Sequence, residues 1–208
     1  MVVQARAGAT RQRIIDAAVD LFADKGYAET GLNDLCKAAD VTTGAFYYHF
    51  ASKEEVADAV GAQGWPKAWD VVAQYMNPDN PGLENVIAMT FAVTDLLKRD
   101  KSVWISNHLN QSLGLLNEAG RKTFAHRAQS FTAGIAASVR PSDLRAGISH
   151  EDVGSQVWMM LHGCHLLSDA FGDDVSRRLV ASWRILLQAI AAEESLPHFE
   201  KLVATQTD

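Results

Sequence analysis

The sequence predicts an all-α protein that consists of a three-helix N-terminal domain followed by a helical bundle. Apolar residues recur three and four positions apart along nearly every segment, which is the period of an amphipathic helix. The alternation of apolar and polar residues that marks a β-strand is absent. With 208 residues, 48% of them hydrophobic, the chain is long enough to bury a sizeable core.

The first three predicted helices are closely spaced. A helix from Arg11 to about Asp24 is followed by Gly26, a residue that commonly ends helices. A second, short helix is predicted over residues 32–39, and a third over residues 43–49. Two short helices joined by three or four residues form a helix-turn-helix, whose second helix reads the major groove of DNA.

Capping residues define the third helix and the start of the fourth. Thr42 is a good N-cap, and Thr43 and Gly44 give a first turn small enough to approach another surface closely. Ser52 and Glu55 have the spacing of a capping box. Lys53 opposes the dipole of the helix it begins, a placement that becomes favourable if the lysine and nearby amides hold a phosphate.

The remainder of the chain reads as a bundle, giving about nine or ten helices in all. The fourth helix is expected to run from Lys53 to about Gly64, to be interrupted at Trp65–Pro66 and to continue as helix from Lys67 to Met76 after a kink. The last two long helices, predicted over 149–171 and from about 174 to 194, carry apolar residues on more than one face. One face is therefore expected to meet a symmetry mate. The residues predicted for that contact are Leu166, Ala170, Leu179, Trp183, Leu186 and Leu187.

Several motifs together resemble a known family. They are Ile14–Ala18 with Leu21–Phe22, then Gly26–Tyr27, Val41–Phe50 and Ser52–Glu54. With these motifs in order, residues 10–55 resemble the DNA-binding domain of the TetR family of bacterial transcriptional regulators. The resemblance covers about a quarter of the chain and departs from the family pattern at a few positions, which are Gly31, Asn33, Asp40 and Thr43. These departures bear on the operator sequence and not on the fold.

The resemblance implies a DNA-binding domain over residues 1–51 and an effector-binding and dimerisation domain over residues 52–208. Double-stranded operator DNA, a small-molecule effector and a second copy of the chain are the implied partners. His49 has an equally plausible structural role, because Phe46 and Phe50 flank it at positions that point inward. The residues implied to contact DNA are Arg11, Asn33, Thr42, Thr43, Gly44, Tyr47, Tyr48, His49 and Lys53.

Bulky and amphipathic side chains in the bundle suggest an effector pocket, since pockets between helices are mostly apolar with a few polar groups. Core packing is the alternative for each of them. The bundle, with its turn at Arg145–Ile148, also resembles the γ-butyrolactone receptor subgroup. The tryptophan expected on the seventh helix is absent, and Phe124 stands in that region. The candidate ligand-binding residues are Trp104, His108, Phe124, Phe131, Trp158 and His162.

No catalytic or metal-binding pattern stands out. His162 and His165 share a helix face, but Cys164 points elsewhere and no nearby carboxylate completes a ligand set, so packed histidines are favoured. A nucleophile elbow, a phosphate loop and paired catalytic carboxylates are missing. We therefore expect neither a metal nor a cofactor, and we expect no enzymatic activity.

Charge and composition favour a cytoplasmic protein. The net charge is −6, and residues 1–53 hold six basic and six acidic side chains, so the excess acid lies in the larger domain. The sequence lacks an apolar run of membrane-spanning length and a signal peptide, and two distant cysteines suit a reducing compartment. A neutral N-terminal domain suggests modest non-specific DNA binding.

These observations predict a homodimeric repressor that binds palindromic operator DNA and is released by a small apolar or amphipathic molecule. One alternative is a DNA-binding regulator without an effector, which a fully packed bundle would favour. Another is a helical-bundle enzyme with a docking head, which lacks a catalytic pattern to support it.

Overall fold

The computed structural model describes residues 2–77 and 79–207, apart from the side chains of residues 2–5, 116 and 207. Within them, the chain forms ten α-helices, two short 3-10 turns and one isolated β-bridge, which confirms the all-α prediction. None of the described helices is long and apolar enough to cross a membrane. The helices are α1 (Val2–Lys25), α2 (Leu32–Ala38), α3 (Thr43–His49), α4 (Lys53–Tyr75), α5 (Leu83–Arg99), α6 (Lys101–Leu116), α7 (Glu118–Ser138), α8 (His150–Phe171), α9 (Val175–Ile190) and α10 (Leu196–Ala204).

The helices form two compact units that do not follow chain order. The first unit, here called the head, contains residues up to 68 together with residues 97–121. The second, here called the bundle, contains residues 69–96 and 122–208. Compactness thus groups α6 with the three N-terminal helices, whereas the predicted functional boundary lies after residue 51.

The core of the head is built from four sequential helices and α6. Phe22 of α1 and Phe46 of α3 are almost completely buried, and they pack in one cluster with Leu35 of α2 and Val60 of α4. Leu109 belongs to the same cluster, with Ile105 and Leu113 beside it on α6. Burying aromatic and branched side chains of this size is the main stabilising contribution to such a domain.

The turns of the head adopt left-handed backbone conformations at two points. Gly26 has φ of 84° and donates its N–H to the Phe22 carbonyl at 3.0 Å, so the predicted end of α1 is confirmed. Asp40 has φ of 52°. Aspartate tolerates this region better than most residues because its short polar side chain can bond locally.

The predicted interruption of the fourth helix was wrong, because α4 continues through Pro66 to Tyr75. Two small residues let this helix lie very close to α6. A Cβ built on Gly64 would lie 2.5 Å from the Ser102 carbonyl oxygen, and Ser106 Oγ donates to the Gly61 carbonyl at 3.1 Å. Such close packing holds the helix together around the one hydrogen bond that proline cannot make.

The start of α6 is held by an aspartate cap and two lysines. Asp100 accepts the backbone N–H groups of Ser102 and Val103 at 2.9 and 3.2 Å, and the Lys67 ammonium lies 2.6 Å from its other oxygen. Burial raises the pKa of Asp100, but the hydrogen bonds from Lys67, Ser102 and the Val103 amide outweigh it and lower the pKa to about 2. Lys101 reaches Asp20 of α1 at 2.8 Å.

In the bundle, a buried carboxylate joins segments that are far apart in sequence. Asp143 accepts the N–H of Leu83, the first residue of α5, at 2.8 Å. Its carboxylate also receives the Arg140 guanidinium, which reaches Glu84 at 2.7 Å. The main chain beside it pairs with the end of α9, since the Ala192 N–H donates to the Asp143 carbonyl at 2.9 Å. These bonds of Asp143 with Leu83, Arg140 and Ala192, here called the clasp, fix the first turn of α5.

The last predicted helix ends earlier than expected. We predicted an end near Glu194, but α9 stops at Ile190 and a separate helix, α10, begins at Leu196. Ala191 lies outside the helix with φ and ψ of −75° and 143°, and it forms the antiparallel bridge with Leu144. Backbone pairing with this distant segment replaces the final helical turn.

Candidate functional site

The third helix presents one exposed face. Thr42 Oγ1 accepts the Ala45 N–H at 3.1 Å, which confirms Thr42 as the N-cap of α3. The side chains of Tyr47 and Tyr48 are 57% and 79% exposed, although large aromatic rings are usually buried. Thr43 and Gly44 are exposed one turn earlier on the same face, whereas Phe46 anchors the opposite face in the core. Tyr47 also contacts Phe46 edge to face at 5.7 Å.

The remaining predicted DNA contacts in α1 to α3 differ in their exposure. Arg11 and Asn33 are exposed, and the Arg11 guanidinium lies 4.8 Å from the centre of the Phe50 ring, next to the end of α3. His49 is half-buried and meets the Tyr48 ring edge-on at 4.9 Å. The structure therefore places Arg11 beside the C-terminal end of α3.

Lys53 is engaged within the head itself. Its ammonium donates to the carbonyls of Tyr27 and Thr30 at 2.9 and 3.0 Å and lies 4.3 Å from the centre of the Tyr27 ring. An ammonium has three N–H donors, so one remains for a phosphate. Burial, followed by the charge and hydrogen bond of Glu54, raises the pKa of Tyr27 to about 12, which keeps this phenol protonated. The sequence did not reveal this internal role of Lys53.

Capping at the start of α4 follows the predicted pattern in part. Ser52 Oγ accepts the Glu55 N–H at 3.3 Å, as in a capping box. The Glu55 carboxylate reaches the N–H of Ala51 at 2.6 Å rather than that of Ser52. Both bonds fix the direction in which the chain leaves α3.

The six candidate ligand-binding residues fall into two groups. Trp104 and His108, one turn apart on α6, belong to the head, and their ring centroids are 4.0 Å apart. The other four lie on α7 and α8 of the bundle. Trp158 is their centre: its ring lies 5.0 Å from Phe131, 6.0 Å from Phe124 and 3.7 Å from His162.

The two Trp–His pairs have the same local geometry. In each, the histidine Nδ1 faces the carbonyl of the tryptophan four residues earlier, at 3.0 Å for His108 and 3.1 Å for His162. A carbonyl only accepts, so Nδ1 carries the hydrogen in both rings. Burial lowers the pKa of His162 to about 4, against a smaller opposing effect of the Trp158 carbonyl. His162 is therefore uncharged at neutral pH.

The residues after His162 point in different directions. His165 Nε2 lies 3.1 Å from Thr94 Oγ1, whereas Cys164 Sγ lies 3.4 Å from Ser182 Oγ. Both cysteines are buried and unbridged. Among the described residues, the structure contains no group of three or more His, Cys, Asp or Glu side chains placed to hold a metal ion.

A buried polar chain links α5, α8 and α9, and the sequence analysis missed it. The Trp183 indole N–H donates to Thr90 Oγ1 at 2.9 Å, and Thr94 Oγ1 donates to the Thr90 carbonyl at 2.8 Å while it contacts His165. Two threonines one turn apart within the apolar face of α5 were the available signal. Buried polar groups of this kind need partners inside the core.

This chain of bonds explains why part of the predicted dimer contact was wrong. Leu179, Trp183 and Leu187 are fully buried within their own chain, because the Trp183 indole turns this face of α9 toward Thr90. The outward apolar surface is formed by other residues of α8 and α9, together here called the outer face. Its members are Met159, Leu166, Leu167, Phe171 and Ile185, which are 45–76% exposed.

Comparisons with known proteins match the chain over different lengths. Residues 14–60 match the model of the family described as bacterial regulatory proteins, tetR family. The A-factor receptor protein of Streptomyces griseus is 47% identical over 60 residues, which are 29% of this chain and 22% of that protein. The sequence match thus spans about a fifth of that relative.

Solved structures resemble nearly the whole chain. A crystal structure of a γ-butyrolactone receptor, described as an ArpA-like protein, has a TM-score of 0.75 and 26% sequence identity to this chain. The match covers 97% of this chain and 98% of that one. The TetR family protein CprB of Streptomyces coelicolor, solved in complex with its biological operator sequence, has a TM-score of 0.68 at 26% identity, covering 96% of this chain and 97% of that one.

Proposed function

We propose that the chain is a member of the TetR family of bacterial regulators and acts as a ligand-responsive transcriptional repressor that binds palindromic operator DNA as a homodimer. The observation that carries this proposal is the exposed face of α3 on a fully formed helix-turn-helix. A seven-residue helix that exposes two tyrosines while burying Phe46 is arranged to present those rings to a partner.

The proposed operator contacts combine base reading with phosphate binding. Thr43, Gly44, Tyr47 and Tyr48 would enter the major groove, where tyrosine rings and threonine methyls can meet thymine methyl groups. Polar and basic groups around them would bind phosphates and set the register. These are Arg11, Asn33, Thr42, His49 and the remaining N–H of Lys53.

Homodimerisation is proposed through the outer face. Five large apolar side chains exposed on two adjacent helices form a patch of the kind that usually marks a protein interface. A two-fold axis through this face gives a closed dimer in which the same patch is used twice. Two reading helices about one DNA turn apart would then contact two half-sites of a palindrome.

In the bundle, an effector is proposed to act through Phe124, Phe131, Trp158 and His162, while Trp104 and His108 of the head form a separate candidate group. Their support is chemical: aromatic walls with imidazole groups suit a small apolar or amphipathic molecule. The γ-butyrolactone receptor structures similar to this chain make that ligand class one candidate. Release of DNA requires that the molecule binds more tightly to the conformer that does not fit the operator.

We further propose that the protein is not an enzyme and acts in the cytoplasm, where its DNA target lies. A regulator without an effector is the remaining alternative.

The test is a gel-shift experiment with operator sequences selected from random palindromic DNA, repeated with candidate small molecules. Selection of a palindrome with a half-site spacing of about 10 base pairs would support the proposal. Failure to select any sequence would contradict it.

A further inference from the structure

The His162 ring is oriented by its neighbours so that one nitrogen is left for another molecule. Its Nδ1–H donates to the Trp158 carbonyl at 3.1 Å, and its face lies on the Trp158 indole at 3.7 Å between centroids. The Phe124 ring meets it edge-on at 6.3 Å. These contacts fix the tautomer and the ring plane, and together they point Nε2 away from the backbone of α8.

His162 Nε2 is a hydrogen-bond acceptor without a protein donor among the residues that the structure describes. The ring is desolvated, and the resulting low pKa, about 4, keeps Nε2 unprotonated at neutral pH. Among the described residues, the buried side-chain polar atoms without a partner do not include His162 Nε2, so this acceptor is reachable from solvent and can be met by a donor of another molecule. The group is thus suited to a ligand that brings an N–H or O–H.

The surroundings of Nε2 restrict the rest of that ligand. Phe131 and Trp158 are almost completely buried, while Phe124 and His162 are half-buried, so the cluster has an aromatic floor and a partly open side. Aromatic surfaces favour planar apolar groups that can stack or meet them edge to face. A carboxylate or an ester oxygen placed at Nε2 would instead meet a lone pair with its own lone pairs.

We propose that His162 selects the effector through Nε2, and that the effector is an uncharged, mainly apolar molecule with a hydroxyl or N–H donor. This inference rests on the proposed function, because it names the chemistry recognised at the proposed effector site. His162 is thereby a specificity-determining residue, whereas Phe124, Phe131 and Trp158 supply contact area.

A matched pair of small probes isolates the hydrogen bond. The probes are 1-naphthol, which carries a donor and is neutral at pH 7, and 1-methoxynaphthalene, in which a methyl group replaces that hydrogen. Binding is measured by isothermal titration calorimetry on the full-length protein, and the Nε2 chemical shift by ¹⁵N NMR of histidine-labelled protein. We expect naphthol to bind about tenfold more tightly than its ether and to shift the Nε2 resonance of His162.

Variants assign the preference to one nitrogen. His162→Phe keeps an aromatic ring but removes the acceptor, and it should reduce the tenfold preference to near unity. His162→Gln retains an acceptor and should keep part of it. His198→Phe is the matched control, since His198 is exposed on α10 and lies outside the candidate ligand-binding residues. This control should leave the preference unchanged.

Equal affinity for the two probes, no naphthol binding at millimolar concentration, or an unchanged preference in His162→Phe would each overturn the inference. Operator binding is assayed separately by gel shift. Some molecules could release DNA equally well from the parent and from His162→Phe, with no preference for a hydrogen-bond donor. That result would leave the proposed function standing, and this inference would fail. A donor preference that disappears in His162→Phe, without any release of DNA, supports the inference and contradicts the effector role.

Discussion

The head and the bundle use aromatic side chains in opposite ways. In the head, α3 exposes Tyr47 and Tyr48 on a short helix whose position is fixed by local caps. In the bundle, Trp158 and Trp183 lie inside, where their neighbours come from other helices. A surface that local sequence defines can be recognised from a motif, whereas an interior depends on which helix faces meet.

The largest effect on operator binding is expected from a substitution on the outer face of the bundle. Ile185→Glu places a charge on the outer face and should give a folded monomer, because Ile185 is 76% exposed within the chain. Loss of the second reading helix should weaken operator binding by about a hundredfold or more. Analytical ultracentrifugation and gel shifts measure these effects.

Leu187→Glu is the control, since Leu187 is fully buried. It should unfold the bundle instead of separating two folded chains, because it buries an unpaired charge. Circular dichroism distinguishes the two outcomes. A dimeric Ile185→Glu protein would mean that the outer face is not the interface.

Substitutions on the exposed face of α3 should have the opposite effect: operator binding is weakened while the stability of the head is kept. Tyr47→Ala should weaken operator binding by about 1–3 kcal/mol if the ring contacts a base edge. The melting temperature should change little, because the ring is more than half exposed. Tyr47→Phe distinguishes the ring from its hydroxyl, and parent-like binding of both variants would show that α3 is oriented differently on DNA.

Lys53 is expected to contribute both to the stability of the head and to operator binding. Lys53→Met removes two hydrogen bonds to carbonyls and should lower the free energy of unfolding by about 1–2 kcal/mol. If the third N–H binds a phosphate, the salt dependence of operator binding should also fall by about one ion. Urea titration and gel shifts at several salt concentrations measure the two effects.

Lys201→Met serves as the charge-matched control for Lys53→Met, because Lys201 is exposed on α10. It should leave both measurements unchanged. A lower stability with an unchanged salt slope would assign Lys53 to positioning alone.

A smaller effect, on the pH dependence of the free energy of unfolding, tests whether the Asp100 cap at the start of α6 stabilises the head. Because the pKa of folded Asp100 is about 2, below its ordinary 3.8, the ionised group stabilises the fold above about pH 4. That contribution should be lost as the pH falls through about 2. Asp100→Asn should therefore lower stability at pH 7 and flatten this part of the acid profile. An unchanged profile, measured by urea titration between pH 2 and 5, would contradict the role given to Asp100.

Local signals predicted the head in detail. The cap at Thr42 and the helix end at Gly26 depend on residues within one turn, and the structure confirms both. Asp40 keeps the turn because aspartate tolerates a left-handed backbone. The prediction at Pro66 was wrong because the support for α4 comes from Ser102 and Ser106, about forty residues away in sequence.

The bundle was less predictable because its helices are apolar on more than one side. Periodicity identified α9 as two-faced, but the choice of the inner face depends on Thr90, which accepts the Trp183 indole N–H from a helix 93 residues away. The clasp at Asp143 was not predicted either, since nothing near it in sequence indicates a bond to Leu83. Long-range polar partners of this kind have no local signature.

The contribution of α6 to the core of the head has a consequence for recombining regulators by gene fusion. A chimera cut after residue 51 would transfer the reading helix but leave behind Val60, Leu109 and their neighbours, which cover Phe22 and Phe46. A foreign partner would have to supply side chains of the same volume, because close-packed interiors tolerate cavities poorly. Exchanges that carry both residues 1–68 and residues 97–121 preserve this packing, so specificity is most readily transplanted as two segments.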